Sequence, residues 1–294
     1  MQLKVFLTGA TGYIGGAVAD ALLAAGHTVT GLARSDEAAR KLSAGGIAPT
    51  RGDLHSPASW SKAAGESDGV IHAGTTNDGR IDQEAVRVML DALRDSGKPL
   101  LYTSGIWVLG DTGGKIADEA WPVNPVDLVA WRPGVEQLVL AAARNGVRSM
   151  VIRPGVVYGR GSGIPADFVK SAHETGAARY VGTGQNRWPL VQVDDLADLY
   201  VRASEHAAAG TMFLATDGSG FRVREIAEAA SFGAGAGGRT ESWPLEEARK
   251  TLGAYADALV LDQLVSSEKA RTTLGWQIRA SSLIEDLRRG NYAK

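Results

Sequence analysis

Three glycines, separated by two residues each, follow the first apolar run of the chain. The run at residues 3–7 predicts a buried strand, Gly9, Gly12 and Gly15 come next, and an Ala- and Leu-rich helix then extends to Gly26. In such a turn the glycines let the chain leave the strand sharply, bring its backbone close to a diphosphate and pack the helix against a sheet. The helix directs N–H groups and the positive end of its dipole at the phosphates, so no lysine is needed. The pattern predicts an anion site that is built from backbone.

The segments around these glycines decide between a surface turn and a dinucleotide site. The chain contains 37 glycines in 294 residues, so a turn without any ligand also matches the spacing. A further strand over residues 28–33 completes a βαβ unit of about thirty residues, which is the context of dinucleotide binding. We therefore predict dinucleotide binding by an α/β fold.

The run Thr-Gly-Ala-Thr-Gly-Tyr-Ile-Gly at residues 8–15 resembles the nucleotide loop of the extended short-chain dehydrogenase/reductases, the NAD-dependent epimerase/dehydratase superfamily. The resemblance implies a Rossmann-type doubly wound parallel sheet in residues 1–158, with core strands to about residue 153. It also implies a smaller C-terminal substrate lobe in residues 159–294, of which some segments return to the Rossmann core. Besides the three glycines, the expected cofactor contacts in the loop are Thr11, Tyr13 and Ile14.

The residue that ends the second strand decides between NAD and NADP. An acidic residue there accepts a hydrogen bond from the ribose 2′-hydroxyl, whereas an arginine neutralises a 2′-phosphate. Ala33 stands where the acid is expected, and Arg34 follows it. We therefore predict NADP rather than NAD, with Arg34 and Ser35 as phosphate ligands. The alternative is that Arg34 is a solvated residue at the start of the next helix.

Two further segments match the family at the cofactor edge of the sheet. The resemblance implies that Asp53 and Leu54 lie beside the adenine, with the acid accepting from its amino group. Asp53 would alternatively cap the turn that follows. Ala73 and Gly74 end the next strand, and small residues there let the backbone pass close to the cofactor. We interpret the neighbouring His72 as a packed or hydrogen-bonded residue rather than a catalytic base.

The catalytic residues of the family are only partly present. Ser104 ends the predicted strand at residues 99–104, and the resemblance implies that its hydroxyl polarises a substrate carbonyl. The family tyrosine and lysine would follow, yet alignment on Glu136 puts Leu128 and Arg132 at their places. Arg132 can bind ribose hydroxyls, but a leucine cannot transfer a proton. Pro133 predicts that the helix begins near it or is kinked there.

Another proton donor must then replace the tyrosine. The resemblance implies that the loop at residues 153–159 passes the nicotinamide, which makes Pro154, Val156 and Val157 candidate cofactor contacts. Tyr158 at its end is a candidate proton donor and substrate ligand. The alternatives are that Tyr158 only fills space, or that Ser104 works through a bound water.

Several large side chains fall in segments that the family arrangement brings near the substrate. A cluster of indoles favours an apolar or aromatic substrate over a polyhydroxylated sugar nucleotide. Arg187 would accommodate an anionic group on it. The candidate substrate ligands are Trp107, Trp131, Tyr158, Arg187 and Trp188.

Composition narrows the partners of the chain. A net charge of −2 and a pI near 6.2 give no electrostatic basis for binding nucleic acid or an anionic membrane. The chain has no cysteine, and its five histidines show no metal-ligand spacing, so we predict no metal. No segment approaches the roughly 20 apolar residues of a membrane span. We expect a cytoplasmic monomer or homodimer that acts on a small molecule.

The function that these residues favour is an NADP-dependent oxidoreductase. It would reduce a carbonyl or related unsaturated group of a fairly apolar small molecule by hydride transfer. The missing tyrosine and lysine leave open a redox-inactive NAD(P)-binding sensor or scaffold protein. An epimerase, dehydratase or isomerase on the same scaffold is the third alternative.

Overall fold

A computed structural model describes residues 2–289, 291 and 292. The strands, numbered in chain order, are β1 (Lys4–Thr8), β2 (Thr28–Ala33), β3 (Ala48–Arg51), β4 (Gly69–His72), β5 (Pro99–Thr103), β6 (Ile116–Ala117), β7 (Arg148–Pro154), β8 (Val156–Tyr158), β9 (Ala178–Val181), β10 (Leu190–Gln192), β11 (Thr211–Ala215), β12 (Thr240–Trp243) and β13 (Leu264–Val265). The α-helices are α1 (Tyr13–Ala24), α2 (Asp36–Ala44), α3 (Ser61–Gly65), α4 (Gly79–Ala92), α5 (Arg132–Ala141), α6 (Pro165–Thr175), α7 (Val193–His206), α8 (Val223–Gly233), α9 (Leu245–Leu252), α10 (Tyr255–Leu259), α11 (Glu268–Leu274) and α12 (Leu283–Arg288). Within the described ranges, no helix combines the length and the apolar character that crossing a bilayer requires.

Seven parallel strands form the central sheet, in the order β11-β7-β5-β4-β1-β2-β3. Apolar side chains cover both faces of the sheet and make two separate cores, as expected for parallel strands with helices on both sides. The predicted Rossmann-type doubly wound fold is confirmed. Short strand pairs, β8 with β10 and β9 with β12, lie outside this sheet.

The strand order reverses beside β1. The chain runs from β1 to β2 and β3 on one side and then crosses to β4 on the other, so β1 pairs with both β2 and β4. In open α/β sheets a ligand binds at the carboxyl ends of the strands where the order reverses. The loops that follow β1 and β4 therefore border the expected cleft.

Two later segments belong to the sheet layer. Strand β11 pairs with β7 at the edge of the sheet, and the side chains of α7 share a core with those of α1. The chain thus returns to the first layer after it has built part of the C-terminal lobe. The domain boundary at residue 158 stays a prediction.

The ends of β5 and α5 determine where the candidate catalytic residues lie. Strand β5 ends at Thr103, so Ser104 is the first residue beyond it, and its N–H donates to the carbonyl of Ile152 at 2.8 Å. Helix α5 begins at Arg132 with Pro133 in its first turn, where the missing N–H has no intrahelical partner to lose. Of the two alternatives for Pro133, the structure shows a helix start and not a kink.

A buried ion pair joins α5 to β7. The guanidinium of Arg153 donates to both carboxylate oxygens of Glu136, at 2.8 and 2.5 Å, and each side chain is only 3% exposed. The bidentate geometry satisfies both charges, which is what makes their burial tolerable. Glu136 therefore has a structural partner.

We predict that Arg153→Met lowers the free energy of unfolding by about 3–5 kcal/mol, because the Glu136 carboxylate would stay buried without its partner. Urea-induced unfolding followed by circular dichroism measures the loss. Lys250→Met is the matched control, since Lys250 pairs with Glu247 at 2.8 Å on the surface. Such a pair contributes less than about 1 kcal/mol. Equal effects of the two substitutions would contradict the structural role of the buried pair.

Candidate functional site

The loop at residues 8–15, here called the glycine loop, is packed backbone against backbone. Gly9 has a φ of +75°, and a Cβ added to it would lie 2.6 Å from the carbonyl oxygen of Ala73. A Cβ on Gly15 would overlap the carbonyl oxygen of Gly9. Gly12 is the N-cap of α1 and has no side chain to cap its first turn. The N–H groups there suit an anion, so the loop fits a dinucleotide diphosphate.

A buried hydrogen-bond network connects the glycine loop to the loop that follows β4. The Gly74 N–H donates to Thr8 Oγ1 at 3.1 Å, so the hydroxyl is free to donate to His72 Nδ1 at 2.6 Å. His72 Nε2 then carries the proton and donates to Asp82 at 3.0 Å. The Tyr102 hydroxyl donates to the other Asp82 oxygen at 2.7 Å. His72 is thus the hydrogen-bonded residue that the sequence predicted, and its network fixes the Gly74 backbone.

The segments expected at the adenosine follow β2 and β3, the strands on one side of β1. Arg34 is exposed immediately after the buried Ala33. The Ser35 hydroxyl accepts from the Ala38 N–H at 3.1 Å and so caps α2, which leaves only its proton for a phosphate. Asp53 accepts from the backbone and ring nitrogens of His55, at 2.9 and 2.6 Å, and these bonds hold the pKa of its carboxyl below the usual range.

Other side chains border the same region. Lys41 Nζ lies 3.4 Å from the carbonyl oxygen of Thr11 in the glycine loop. Arg51 ends β3 and forms an exposed ion pair with Asp36 at 3.4 Å. Leu54 is buried next to Gly74. Basic groups therefore surround the end of β2, and Lys41 was not among the predicted ligands.

A cavity of about 520 Å³ opens at the carboxyl ends of β5 and β7. This first cavity lies within the size range of small-molecule sites, about 300–1,000 Å³. Its walls are mostly apolar, and the structure brings together here eight of the residues predicted from sequence. They are Ile14, Ser104, Trp107, Trp131, Arg132, Pro154, Val156 and Val157.

Two polar side-chain atoms in this cavity, one on Ser104 and one on Arg132, have no hydrogen-bond partner within the described residues. Ser104 is 5% exposed, and its hydroxyl makes no hydrogen bond. Arg132 places its guanidinium over the Trp131 ring, 5.1 Å from the centroid, and reaches the Thr103 carbonyl at 3.4 Å, yet its Nε is unpaired. Buried polar groups normally find a partner, so both atoms suit a ligand that supplies one.

The place expected for the family tyrosine is apolar. Leu128 lies in a single turn of 3₁₀-helix (Asp127–Val129), is 37% exposed and lines the first cavity. It adds hydrocarbon surface where a phenol is expected. Leu128 therefore cannot serve as a proton donor in this cavity.

The assignment of Tyr158 as proton donor and substrate ligand is wrong. Its side chain is fully buried in the core of the C-terminal lobe and does not line the first cavity. Its hydroxyl donates to the Ser281 carbonyl at 3.0 Å, with an Asp217 oxygen at 3.5 Å. Burial raises the pKa of Tyr158 above its ordinary value. The packing alternative applies, because strand β8 turns this residue away from the cofactor edge.

Two predicted substrate ligands also lie outside the first cavity. Arg187 donates from two guanidinium nitrogens to the two Asp262 oxygens, at 2.8 and 2.6 Å, so its charge is already paired. Trp188 stacks on Phe168 with ring centroids 5.7 Å apart and donates to the Leu259 carbonyl at 3.1 Å. Arg187 is therefore not available to an anionic substrate group, whereas a substrate contact of Trp188 stays a prediction.

Trp188 instead lines a second cavity of about 380 Å³ within the C-terminal lobe. Ile164 and Tyr255 line both cavities, so they form the wall between the two. The Tyr255 ring meets Trp107 edge-on, with centroids 5.9 Å apart. Sequence reasoning missed Tyr255 because no local motif marks it and it lies far along the chain from every other residue of the site.

The fold and this cleft define an α/β protein that binds a dinucleotide where the strand order of its sheet reverses. Residues 5–214 match the model of the NAD dependent epimerase/dehydratase family, and the chain belongs to this family. The resemblance in the glycine loop is thereby confirmed.

Individual relatives agree with this assignment. A Saccharomyces cerevisiae protein described as uncharacterised is 36% identical over an alignment of 304 positions. The alignment covers 99% of this chain and 99% of the relative. The 4-hydroxy-2-methyl-3-oxo-4-farnesyl-3,4-dihydroquinoline-1-oxide ketoreductase of Stigmatella aurantiaca is 27% identical over 237 residues, 76% of this chain and 71% of the relative. The Thermus thermophilus UDP-glucose 4-epimerase, solved with NAD, has a TM-score of 0.78 at 21% identity and covers 98% of this chain and 97% of its own. That likeness shows the fold.

We predict that Gly15→Ala weakens binding of NADPH and NADH at least about tenfold, because its methyl group would force the Gly9 carbonyl out of place and cost more than about 1.4 kcal/mol. Isothermal titration calorimetry measures both affinities. Gly16→Ala is the matched control one residue along α1, since its Cβ would lie 3.6 Å from the Ala10 carbonyl, an ordinary contact. A Gly15→Ala protein that binds as well as the control would show that the loop does not hold the cofactor.

Proposed function

We propose that the chain is an NADP-dependent reductase of a carbonyl group on a fairly apolar small molecule. The observation that carries the proposal is the unpartnered Ser104 hydroxyl inside a mostly apolar cavity beside the glycine loop. A hydroxyl in that position donates to a carbonyl oxygen and stabilises the negative charge that develops on it. A bound nicotinamide dinucleotide would supply the hydride, with its diphosphate at the glycine loop and its ribose hydroxyls at Arg132.

The preference for NADP rests on charge at the end of β2. Ala33 is fully buried and offers no carboxylate to a ribose 2′-hydroxyl. Arg34 is exposed next to it, and Lys41 reaches the glycine loop from α2. Both cations would attract a 2′-phosphate. Roles for Ser35 at this phosphate and for Asp53 and Leu54 at the adenine stay predictions.

The two cavities support an apolar substrate. Trp107 and Trp131 line the first, and the stacked Phe168 and Trp188 line the second. Arg187, whose charge is paired with Asp262, lines neither cavity and so offers no cation to an anionic substrate group. The Stigmatella relative bears the name of a ketoreductase of a farnesylated quinoline oxide, a large and mostly apolar ketone. Such a molecule matches the walls described here better than a sugar nucleotide does.

A redox-inactive NAD(P)-binding protein is the second candidate. Leu128 and Arg132 favour it, because neither can act as the family's tyrosine and lysine do. The two candidates differ in a simple assay. The purified protein is mixed with NADPH and with 2-acetylnaphthalene, cyclohexenone or 9,10-phenanthrenequinone, and the absorbance of the reduced nicotinamide is followed. Turnover of any of these compounds rejects the redox-inactive protein. NADPH binding with no turnover of any of the three counts against the reductase.

We predict that Ser104→Ala lowers kcat about 10²–10³-fold, the usual effect of removing one donor to a developing oxyanion. The measurement is steady-state NADPH oxidation with the ketone that the wild-type protein reduces. Ser231→Ala is the matched control, because its hydroxyl is also buried without a partner but lies in α8, away from both cavities. A loss of similar size in both variants would point to a general effect of the lost hydroxyl on packing.

We predict that Arg34→Asp weakens NADPH binding about 10–100-fold and leaves NADH binding nearly unchanged, since a charge-assisted hydrogen bond contributes about 1.5–3 kcal/mol. Calorimetric titration of both cofactors measures the difference. Arg94→Asp is the control. Arg94 is also exposed, but it precedes β5 and so lies at the amino ends of the strands, whereas Arg34 follows the carboxyl end of β2. Equal losses for the two cofactors would remove Arg34 as a phosphate ligand.

A further inference from the structure

Reduction of a carbonyl requires a proton for its oxygen, and few groups can supply one here. Among the described residues that line the first cavity, the hydroxyl groups are those of Ser104 and Tyr255. Arg132 keeps its protons, since a guanidinium is effectively never deprotonated. A phenol is a stronger acid than an aliphatic hydroxyl, so Tyr255 is the better donor of the two.

The other tyrosines are excluded by what their hydroxyls already contact. The chain has seven tyrosines, and five have hydroxyls bonded elsewhere in the protein: Tyr13 to the Gly159 carbonyl, Tyr102 to Asp82, Tyr158 to the Ser281 carbonyl, Tyr200 to Thr103 and Tyr292 to the Ser162 carbonyl. The two that remain, Tyr180 and Tyr255, both line the second cavity. Of these two, Tyr255 alone also lines the first.

Local structure fixes the Tyr255 ring in the wall between the cavities. Helix α9 ends at Leu252, the following Gly253 has a φ of +56°, and Tyr255 is the first residue of α10. Its ring packs edge-on against Trp107 at 62° between the planes. Trp107, which this ring contacts, lines the first cavity together with Ser104 and Ile106.

The surroundings of the phenol keep it protonated. Burial, and then the negative charge of Asp167, raise the pKa of Tyr255 to about 12. A group with such a pKa stays protonated at physiological pH, so the Tyr255 hydroxyl carries a proton in the resting protein.

We propose that Tyr255 donates the proton to the carbonyl oxygen of the substrate, in place of the tyrosine that the family carries where Leu128 stands. The inference rests on the proposed function. The carbonyl carbon gains the hydride of the reduced nicotinamide, which becomes oxidised, while the C=O π bond breaks. The O–H bond of Tyr255 breaks as the new alcohol O–H forms, and the phenolate regains a proton from water. Ser104, which lines the same cavity, donates a second hydrogen bond to the same oxygen.

The experiment uses 6-propionyl-2-(dimethylamino)naphthalene, an apolar aromatic ketone whose emission moves to longer wavelength when its carbonyl accepts hydrogen bonds. It is added to the full-length protein with NADP⁺. Tyr255→Phe should move the bound emission to shorter wavelength and weaken binding about 2–10-fold, the effect of one lost hydrogen bond. NADPH affinity, measured by nicotinamide fluorescence, should not change. With a reducible ketone and NADPH, kcat should fall about 10²–10⁴-fold.

Tyr158→Phe is the matched control, because Tyr158 lines neither cavity and its hydroxyl donates to the Ser281 carbonyl inside the lobe core. It should leave bound emission, NADPH affinity and kcat unchanged. If Tyr255→Phe reduces the ketone as fast as the wild-type protein, the role of Tyr255 is overturned and the proposed function stays intact. Bound emission that is identical in wild type and Tyr255→Phe would overturn the role of Tyr255 even without turnover. If the probe does not bind the wild-type protein and no ketone is reduced, the proposed function falls, and the role of Tyr255 with it.

Discussion

The contact between two backbone segments, at the ends of the central strands β1 and β4, sets the position of the loops that border the cleft. Gly9 follows β1 and Ala73 follows β4, and the two lie so close that no side chain fits between them. The polar groups which this approach buries are satisfied from below by Thr8 and His72. A complete buried network is rigid, because breaking any bond leaves an unpaired group in a medium of low dielectric. The main chain of these two loops therefore borders the dinucleotide cleft, and the buried side chains of Thr8 and His72 fix its position.

The chemical groups above this cleft come from two lobes. In the family pattern a tyrosine and a lysine stand four residues apart and so share one face of one helix. Here α5 contributes only Arg132 on that face, while Leu128 adds apolar surface and Tyr255 faces the cavity from the C-terminal lobe. In the proposed reaction, a substrate contacts Ser104 and Tyr255 together and so fills the space between the two lobes. An apolar body that excludes water from the gap strengthens both hydrogen bonds, which links the indole-rich walls to the chemistry.

Sequence alone predicted the parts of the site that depend on neighbouring residues. The bounds of β2 were predicted to the residue, and the loop from Gly9 to Gly15 was correct because turn, strand and helix signals agree within a short segment. The errors concern side-chain direction in the second lobe. Tyr158 follows the expected order of segments, but β8 turns it inward, into the lobe core. Tyr255 has no local signal, since only the tertiary packing of α10 brings it to the cavity.

The lobe that carries Tyr255 is attached to the dinucleotide domain beside the glycine loop itself. Tyr13, the first residue of α1, donates to the Gly159 carbonyl at 2.8 Å, and Arg160 bridges Asp20 of α1 and Asp194 of α7 at 2.7 and 2.6 Å. Each exposed ion pair contributes little stability alone, yet all of these contacts converge on one segment. The first turn of α1, which borders the diphosphate site, and the start of the second lobe are therefore held by shared contacts. By thermodynamic linkage, any effect of the cofactor on the affinity for a ligand in the cavity is matched by an equal effect of that ligand on cofactor affinity.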